Sequence, residues 1–250
     1  MYNYSGRFFA FGCSFTINNT RPTWADIVGQ QFAEYQNWAR GGSGNQYIFN
    51  SLIECNLQNK FTPDDTIMIM WSSTTREDRY IADRKGWVGN GNIYYQDMYS
   101  QDFVKQFACE RGYLLRDLAS ITAACEMLRL WGVTYHQFAM IPLHITETRG
   151  YFINDPNQDV RDLYKPTLDQ IGPSVYEVIF NSTDWQKRKS NFGAWIDSEQ
   201  TIRDSHPDPI EALEYVHAVL PNLTIKQSTV DWVHEFKYGT NIPFVPVTRL

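Results

Sequence analysis

The sequence predicts an α/β protein with a mainly parallel sheet, and three observations carry that prediction. Apolar runs at residues 7–11 and 66–71 have the length of buried strands. Residues 24–35 and 114–131 instead repeat apolar side chains at helical spacing. Strands that alternate with helical segments form βαβ units, in which helices cover the faces of a parallel sheet. We therefore expect a three-layer α/β/α sandwich.

Each predicted element has its own signal in the sequence. The strand over 7–11 stops at Gly12, where the backbone can turn tightly. Gly132 and Pro142 are typical ends of a helix and of a strand. The remaining predicted elements are helices over 24–35, 46–54, 114–131, 167–171, 175–180, 209–220 and 229–236, and strands over 36–39, 66–71 and 134–141.

Two stretches interrupt the alternation and are predicted as insertions in a single domain over residues 1–250. In residues 76–112, glycines punctuate a run of Trp and Tyr residues, which favours a long ordered insertion or lid. Residues 145–200 are polar and rich in Asn, Asp, Pro and Tyr. A chain of 250 residues is long enough to bury a substantial core beside such insertions.

Charge and composition disfavour several kinds of partner. The formal net charge is −6 and no Lys/Arg run offsets it, which disfavours nucleic acid and anionic membranes. The four cysteines have neither close pairing nor metal-type spacing, so we expect free thiols in a reducing compartment. We see no secretory signal and no membrane-spanning run, and expect a soluble protein made in the cytoplasm.

Ser14 is the first candidate functional residue. It follows the first predicted strand and Gly12. In open parallel sheets ligands bind at the carboxyl ends of the strands, so a serine at this position is a candidate nucleophile. Backbone N–H groups at such a turn can face an oxyanion. An ordinary strand-to-helix turn with a capping Ser or Thr fits the same residues.

A glycine-rich loop over residues 37–45 follows the second predicted strand. Glycines expose backbone N–H groups, and such a group near Ser14 would stabilise a tetrahedral oxyanion. Gly42 and Asn45 are the candidate oxyanion or substrate-binding residues of this loop. A purely structural glycine loop remains the alternative.

The loop after the strand over 66–71 adds Ser73, Thr74 and Arg76 as candidates for oxyanion or substrate binding. This loop shares the edge of the sheet with Ser14. The guanidinium group of Arg76 has two possible roles, substrate binding and surface pairing. As a substrate-binding group it would contact a carboxylate, an acyl oxygen or a sugar hydroxyl. As a surface group it would pair with Glu77, Asp78 or Asp83.

A serine nucleophile needs a general base, and His206 is the predicted one. It lies in a late loop beside Asp204, which would fix the imidazole tautomer, and Pro207 restricts that loop. His144 follows the fourth strand and remains a candidate for substrate contact. The other histidines belong to predicted elements or to the C-terminal segment: His136, which we expect to be packed, His217 and His234.

Taken in order, four short blocks of the chain resemble the SGNH (GDSL-like) hydrolase family. The blocks are Gly12-x-Ser14-x-Thr16, the glycine loop, a W-S-x-x-x-R segment from Trp71, and Asp204-x-His206-Pro207. The combination is similar to SGNH-like proteins encoded by tailed bacteriophages. The resemblance implies a flavodoxin-like α/β/α sandwich.

The resemblance also implies a role for each site residue. Ser14 is similar to the nucleophile of that family, His206 to its base, and Asp204 to the carboxylate that orients the base. Gly42 is similar to the glycine of its oxyanion hole. No metal or organic cofactor is implied.

The chain departs from the family pattern at three points. Cys13 replaces the usual Asp of the first block, and residues 72–75 lack the Asn of the third. Losing one oxyanion donor typically costs about 10²–10³ in rate, and a Ser or Thr hydroxyl or Arg76 is the candidate replacement. One residue separates Asp204 from His206, where the family has two, so a Ser–His dyad is the alternative to a triad.

The function expected from the resemblance is a serine esterase that removes O-acetyl groups from a glycan. Its partner would be a small ester or an acetylated glycan. Two alternatives remain, which are a non-catalytic SGNH-like structural or binding module of a phage particle and an acyltransferase. Homo-oligomer formation and assembly into a virion stay open.

Overall fold

The computed structural model describes residues 2–94, 99–143, 156–179, 195–197, 200–202 and 206–236. For residues 84, 90, 195–197 and 200–202 it describes the backbone alone. The strands in these ranges are β1 (Arg7–Phe11), β2 (Glu34–Asn37), β3 (Thr66–Trp71), β4 (Arg76–Ile81), β5 (Gly86–Asn92), β6 (Thr134–Ala139), β7 (Trp195–Asp197) and β8 (Gln200–Ile202). The helices are α1 (Trp24–Gly29), α2 (Asn45–Asn59), α3 (Gln101–Phe107), α4 (Glu110–Trp131), α5 (Gln158–Leu163), α6 (Lys165–Leu168), α7 (Val175–Val178), α8 (Pro209–Val219) and α9 (Gln227–Glu235).

A four-stranded sheet in the order β2-β1-β3-β6 forms the centre of the fold, and all its neighbours are parallel. β1 lies between β2 and β3, with Phe8 opposite Tyr35 on one side and Thr66 on the other. This is the strand order with which doubly wound sheets of the 2-1-3-4-5 type begin. The carboxyl ends of β1 and β3, where the sequence predicts the site, are therefore neighbours.

The two faces of the sheet are covered by different helices. Side chains alternate along a strand, so Phe8 and Met68 pack on one face with α1, α8 and α9. Phe9 and Ile67 pack on the opposite face with α2 and α4. The predicted α/β class, with a parallel sheet between two helical layers, is confirmed.

The first helix is shorter than the sequence predicts. α1 ends at Gly29, whereas the apolar spacing predicted a helix to residue 35. The ring of Tyr35 packs on Gly29, where a Cβ atom would lie 2.5 Å from it. Tyr35 belongs to β2 and stacks on Phe8, with ring centroids 5.3 Å apart. Tyr35 therefore belongs to a strand, although its spacing from the preceding apolar residues is helical.

The described part of the first insertion contains the antiparallel hairpin β4–β5 and the helix α3. Asp78 fixes this hairpin to α2 by accepting the N–H groups of Gly44 at 2.7 Å and Tyr47 at 2.9 Å. The backbones of Gly42 and Gly89 also meet, since a Cβ atom on Gly42 would lie 2.7 Å from the Gly89 carbonyl oxygen. The described part of this segment thus forms regular structure that contacts the glycine loop and the start of α2.

The described part of the second insertion, residues 145–200, carries α5, α6, α7 and β7. The sequence predicted helices over 167–171 and 175–180, and the corresponding α6 and α7 are short. Among the described helices, none is long and apolar enough to cross a membrane.

Candidate active site

Ser14 lies in a tight turn directly after β1. The N–H group of Thr16 donates to the Cys13 carbonyl at 2.9 Å and closes the turn. Gly12 is required here because a Cβ atom at this position would lie 2.0 Å from Thr16 Oγ1. Thr16 is fully buried, whereas Ser14 is partly exposed. The turn thus buries its threonine and presents its serine.

Buried hydrogen bonds hold this turn from behind. The Thr16 carbonyl accepts the Thr23 hydroxyl and the Asn37 amide, each at 2.8 Å. The indole N–H of Trp24 donates to Thr16 Oγ1 at 3.3 Å. The start of α1 and the end of β2 therefore fix the Ser14 turn, and sequence reasoning missed these supports.

Asp26 extends that network and is buried. Its carboxylate accepts the Thr23 N–H at 2.8 Å and the Tyr35 hydroxyl at 3.2 Å. Burial nevertheless raises the pKa of Asp26 to about 6, because the lost hydration outweighs these hydrogen bonds.

His206 comes from the far end of the chain to the same place. Its Nε2 atom lies 2.7 Å from Ser14 Oγ, within hydrogen-bonding distance. α8 begins just after it, where Asp208 and Glu211 form a capping box around Pro209. The capped helix start fixes the loop that carries the imidazole.

The ring of Phe15 packs against the His206 imidazole, with ring centroids 4.6 Å apart. Phe15 also contacts the ring of Tyr176, just after the start of α7, at 6.3 Å between centroids. The residue next to Ser14 thus limits the positions that the imidazole can adopt. No sequence motif identifies Phe15 as a site residue, and its position directly after Ser14 is the one signal that could have found it.

The sequence also nominated Asp204 and His144, and both lie outside the described residues. The predicted role of Asp204 as the orienting carboxylate therefore stays a prediction. His136 is half-buried in β6 and lies 3.1 Å from the Tyr2 hydroxyl, which agrees with a packed residue. His217 and His234 are exposed on α8 and α9.

The glycine loop starts beside the Ser14 turn. The Arg40 N–H donates to the Gly12 carbonyl at 3.2 Å, two residues before Gly42. Gly42 has a φ of +76°, which favours glycine, and its carbonyl accepts the Gly91 N–H at 3.0 Å. Within the described residues the N–H groups of Ser14 and Gly42 donate no hydrogen bond. The loop thus contacts both the Ser14 turn and the hairpin.

Asn45 is fully buried at the start of α2. Its amide nitrogen donates to the Ser72 carbonyl at 3.1 Å and to Asp117 at 2.9 Å, and its oxygen accepts the Ser72 N–H at 2.7 Å. These contacts join α2, the end of β3 and α4. Burial raises the pKa of Asp117 to about 6, while Arg116 beside it acts in the opposite direction.

The three candidates after β3 differ in their surroundings. Ser73 Oγ and Thr75 Oγ1 are 2.9 Å apart, and Thr74 is partly exposed. Arg76 donates to the Ser43 carbonyl at 2.9 Å. Neither Ser73, Thr74 nor Arg76 lies in the pocket beside Ser14, so any contact they make with a substrate falls outside it.

A small pocket opens beside Ser14 and His206. Its cavity volume is about 10 Å³, which is close to the space that one water molecule needs. The pocket is closed mainly by side chains from α1, α7, α8 and their flanking loops. The other lining residues are Phe15, Asn18, Arg21, Thr23, Trp24, Val175, Pro207, Ala212 and Tyr215.

In the described ranges no three His, Cys, Asp or Glu residues lie close enough together to hold a metal ion. The absence of a cofactor, predicted from the family resemblance, stays a prediction.

Comparisons with known proteins found similar solved structures. No family model matches the sequence and no curated protein matches it. A member of the lipolytic protein G-D-S-L family from Veillonella parvula is 13% identical, with a TM-score of 0.44 over 87% of this chain and 99% of that chain. The YXIM protein from Bacillus subtilis is 13% identical, with a TM-score of 0.29 over 66% of this chain and 39% of that chain. Both TM-scores are below 0.5, so function is inferred from the site alone.

Proposed function

We propose that this protein is a serine esterase in which Ser14 is the nucleophile and His206 the general base. The distance of 2.7 Å between Ser14 Oγ and His206 Nε2 carries the proposal. A neutral imidazole at this distance accepts the hydroxyl proton as the oxygen attacks. Both side chains are partly exposed, so a substrate can reach them.

The proposed reaction has two halves. Ser14 Oγ attacks the ester carbonyl and its proton passes to His206 Nε2, which gives a tetrahedral intermediate. Collapse breaks the bond to the alcohol, which leaves with the proton from His206. Water then attacks the acyl-serine, with His206 again taking and returning one proton. The products are the free acid, the alcohol and the original enzyme.

The oxyanion of the intermediate needs hydrogen-bond donors, and we assign this role to the N–H groups of Ser14 and Gly42. The support is that neither group donates elsewhere in the described chain, and that the Arg40 to Gly12 hydrogen bond starts the glycine loop beside the turn. Asp204 keeps its proposed role as the group that orients His206.

The pocket beside Ser14 supports a short acyl group. A cavity volume of about 10 Å³ has space for about one water-sized group, such as the methyl of an acetyl ester. Trp24 and Tyr215 are buried side chains of this pocket, so they limit how deeply an acyl chain can enter it. We therefore propose acetyl as the acyl part.

For the alcohol part we propose a glycan hydroxyl. Exposed aromatic side chains of the first insertion, Tyr80 on β4 and Tyr94 after β5, support this assignment. Aromatic rings combine an apolar face with a polar tip and suit carbohydrate surfaces. The alternative is a non-catalytic module, such as a virion component. In that case these same aromatic residues would form a surface that binds another protein.

Turnover of 4-nitrophenyl acetate tests the proposal. We expect Ser14→Ala and His206→Ala each to lower kcat/KM by at least about 10³-fold, and the double variant to be no worse, because the two residues act as a unit. Wild type should prefer the acetate to the butyrate ester. Ser228→Ala, at an exposed serine on α9, is the matched control and should equal wild type.

Equal turnover by wild type and Ser14→Ala would contradict the esterase and favour the non-catalytic module. A transferase would show itself differently. An added acceptor alcohol would then suppress the release of acetic acid without slowing the release of 4-nitrophenol.

A further inference from the structure

Arg76 lies at the carboxyl edge of the sheet, close to the nucleophile turn. Its Nη1 donates to the Ser43 carbonyl at 2.9 Å, and its Nη2 lies 3.6 Å from Met140 Sδ. The same sulfur lies 3.7 Å from Sγ of Cys13, the residue before Ser14. A single methionine sulfur therefore separates this guanidinium group from the Ser14 turn.

The carboxylates nearest to Arg76 in sequence are occupied by other groups. Glu77 pairs with Arg79 at 2.6 Å and with Arg116 at 3.5 Å. Asp78 accepts two backbone N–H groups at the start of α2. Within the described residues no carboxylate lies at ion-pair distance from Arg76, although the charge of Asp78 is near enough to interact with it. A guanidinium group has five donors, and a thioether is a weak acceptor. Arg76 therefore retains donors for a ligand.

Two buried hydroxyl groups at the same edge also lack partners. Ser43 and Ser72 are fully buried, and within the described chain neither Oγ atom has a hydrogen-bond partner. Ser43 supplies the carbonyl that holds Arg76, and Ser72 follows Trp71, whose carbonyl accepts the Met140 N–H at 2.7 Å. Buried polar groups without partners are rare, and they often mark the place of a water or ligand. Arg76, at the start of β4, and the two serines, in neighbouring loops, thus have unused hydrogen-bonding capacity within the described chain.

Arg76 does not line the acyl pocket. The pocket is lined by α1, α7 and α8, which cover one face. Arg76 contacts Ser43 in the loop before α2 and Met140, which packs on the same face of the sheet as the pocket. An ester held at Ser14 with its acetyl group in the pocket would place its alcohol part outside the pocket, as Arg76 is.

We propose that Arg76 binds a carboxylate on the alcohol part of the ester, so that the substrates are acetyl esters of acidic alcohols. This inference rests on the proposed esterase function. A carboxylate matches the planar guanidinium group in shape and charge, and hydrogen bonds between charged groups are the stronger ones. The substrate carboxylate would replace the solvent at a cation that has no carboxylate partner among the described residues.

A pair of esters that differ in charge alone tests the inference. 4-Acetoxybenzoate and 4-acetoxybenzamide share the ring and the acetyl group, and their rates are normalised to hydrolysis by hydroxide. We expect wild type to prefer the anion by about tenfold or more in kcat/KM, and Arg76→Met to lose that preference. The rate with the neutral ester measures any effect of the substitution that does not depend on substrate charge, and the preference is the ratio of the two rates. Arg76→Lys should keep part of the preference, since the charge remains but the planar fork is lost.

Arg79→Met is the matched control, because Arg79 lies on the same strand but is half-exposed and paired with Glu77. It should keep the wild-type preference. An anion preference that is equal in wild type and Arg76→Met overturns the inference. Circular dichroism and thermal unfolding establish that each variant is folded.

A binding measurement separates this inference from the esterase proposal. Ser14→Ala protein should bind 4-hydroxybenzoate more tightly than 4-hydroxybenzamide, and the added Arg76→Met change should abolish the difference. If Ser14 proves not to hydrolyse esters but this difference is found, the esterase fails and the anion site stands. Equal binding of both phenols to Ser14→Ala protein overturns the anion site whatever the ester assays give.

Discussion

The Gly12–Thr16 contact explains the first block of the sequence in physical terms. Thr16 turns its hydroxyl back over Gly12, where a side chain would collide with it. Because Thr16 is also fixed by Thr23 and Asn37, it cannot move aside at low cost. The glycine and the threonine are therefore needed together for Ser14 to face His206.

We expect Gly12→Ala to destabilise the protein by roughly 1–3 kcal/mol and to reduce esterase activity, because the added Cβ overpacks the turn. Adding Thr16→Ala should recover part of the stability, since it removes the atom at 2.0 Å. Urea unfolding and 4-nitrophenyl acetate turnover measure both effects.

Gly41→Ala is the control for that prediction, because a Cβ atom there would meet nothing within 4 Å. It should change stability by no more than about 0.5 kcal/mol. A Gly12→Ala protein as stable and active as Gly41→Ala would contradict the account of the turn.

The sequence names candidate residues one by one, but it does not predict how they are arranged. Ser14 and His206 were nominated because one follows a strand and the other precedes a helix, and they meet although 192 positions separate them. Asn45 and Arg76 were nominated for similar reasons. The amide of Asn45 donates hydrogen bonds to Ser72 and Asp117, and no local sequence pattern predicts that these residues lie beside it.

At the scale of elements, the carboxylate of Asp78 connects the β4–β5 hairpin to α2. Asp78 on β4 satisfies the N–H groups of Gly44 and Tyr47 at the start of α2, a task that a capping side chain within the helix usually performs. The residue before the helix is a glycine, so the cap has to come from elsewhere. The hairpin therefore stabilises the helix on which the glycine loop ends.

We expect Asp78→Ala to lower the free energy of unfolding by about 1–2 kcal/mol, as for other lost helix caps. Asp78→Asn should cost less, since one acceptor oxygen remains. Urea unfolding measures the effect, with Asp83→Ala as the exposed control in the same insertion. Equal stabilities for Asp78→Ala and Asp83→Ala would show that the cap contributes nothing.

At the scale of the whole molecule, buried carboxyl groups make stability depend on pH. Burial raises the pKa of Asp26 and of Asp117 to about 6, above the value near 4 that is normal for an unfolded chain. Between pH 4 and 6 these groups hold more protons in the folded state than in the unfolded state. Their contribution to stability therefore decreases as the pH rises through this window and is constant above it.

We expect Asp26→Asn to remove roughly 2–3 kcal/mol of the difference in unfolding free energy between pH 4 and pH 7. The amide cannot ionise, and its oxygen can still accept the Thr23 N–H. Urea unfolding at both pH values measures the difference, and Asp83→Asn should leave it unchanged. A pH dependence in Asp26→Asn equal to that of wild type would contradict the prediction.

The sequence by itself determined the α/β class, the order of the main elements and the nomination of Ser14 and His206. These depend on local signals, such as apolar periodicity, glycine at turns and capping residues at helix starts, which act over a few residues. Only the tertiary structure decided where α1 ends, how the hairpin caps α2, and that Ser14 and His206 lie within hydrogen-bonding distance. Those features depend on contacts between residues far apart in the chain, which no local pattern records.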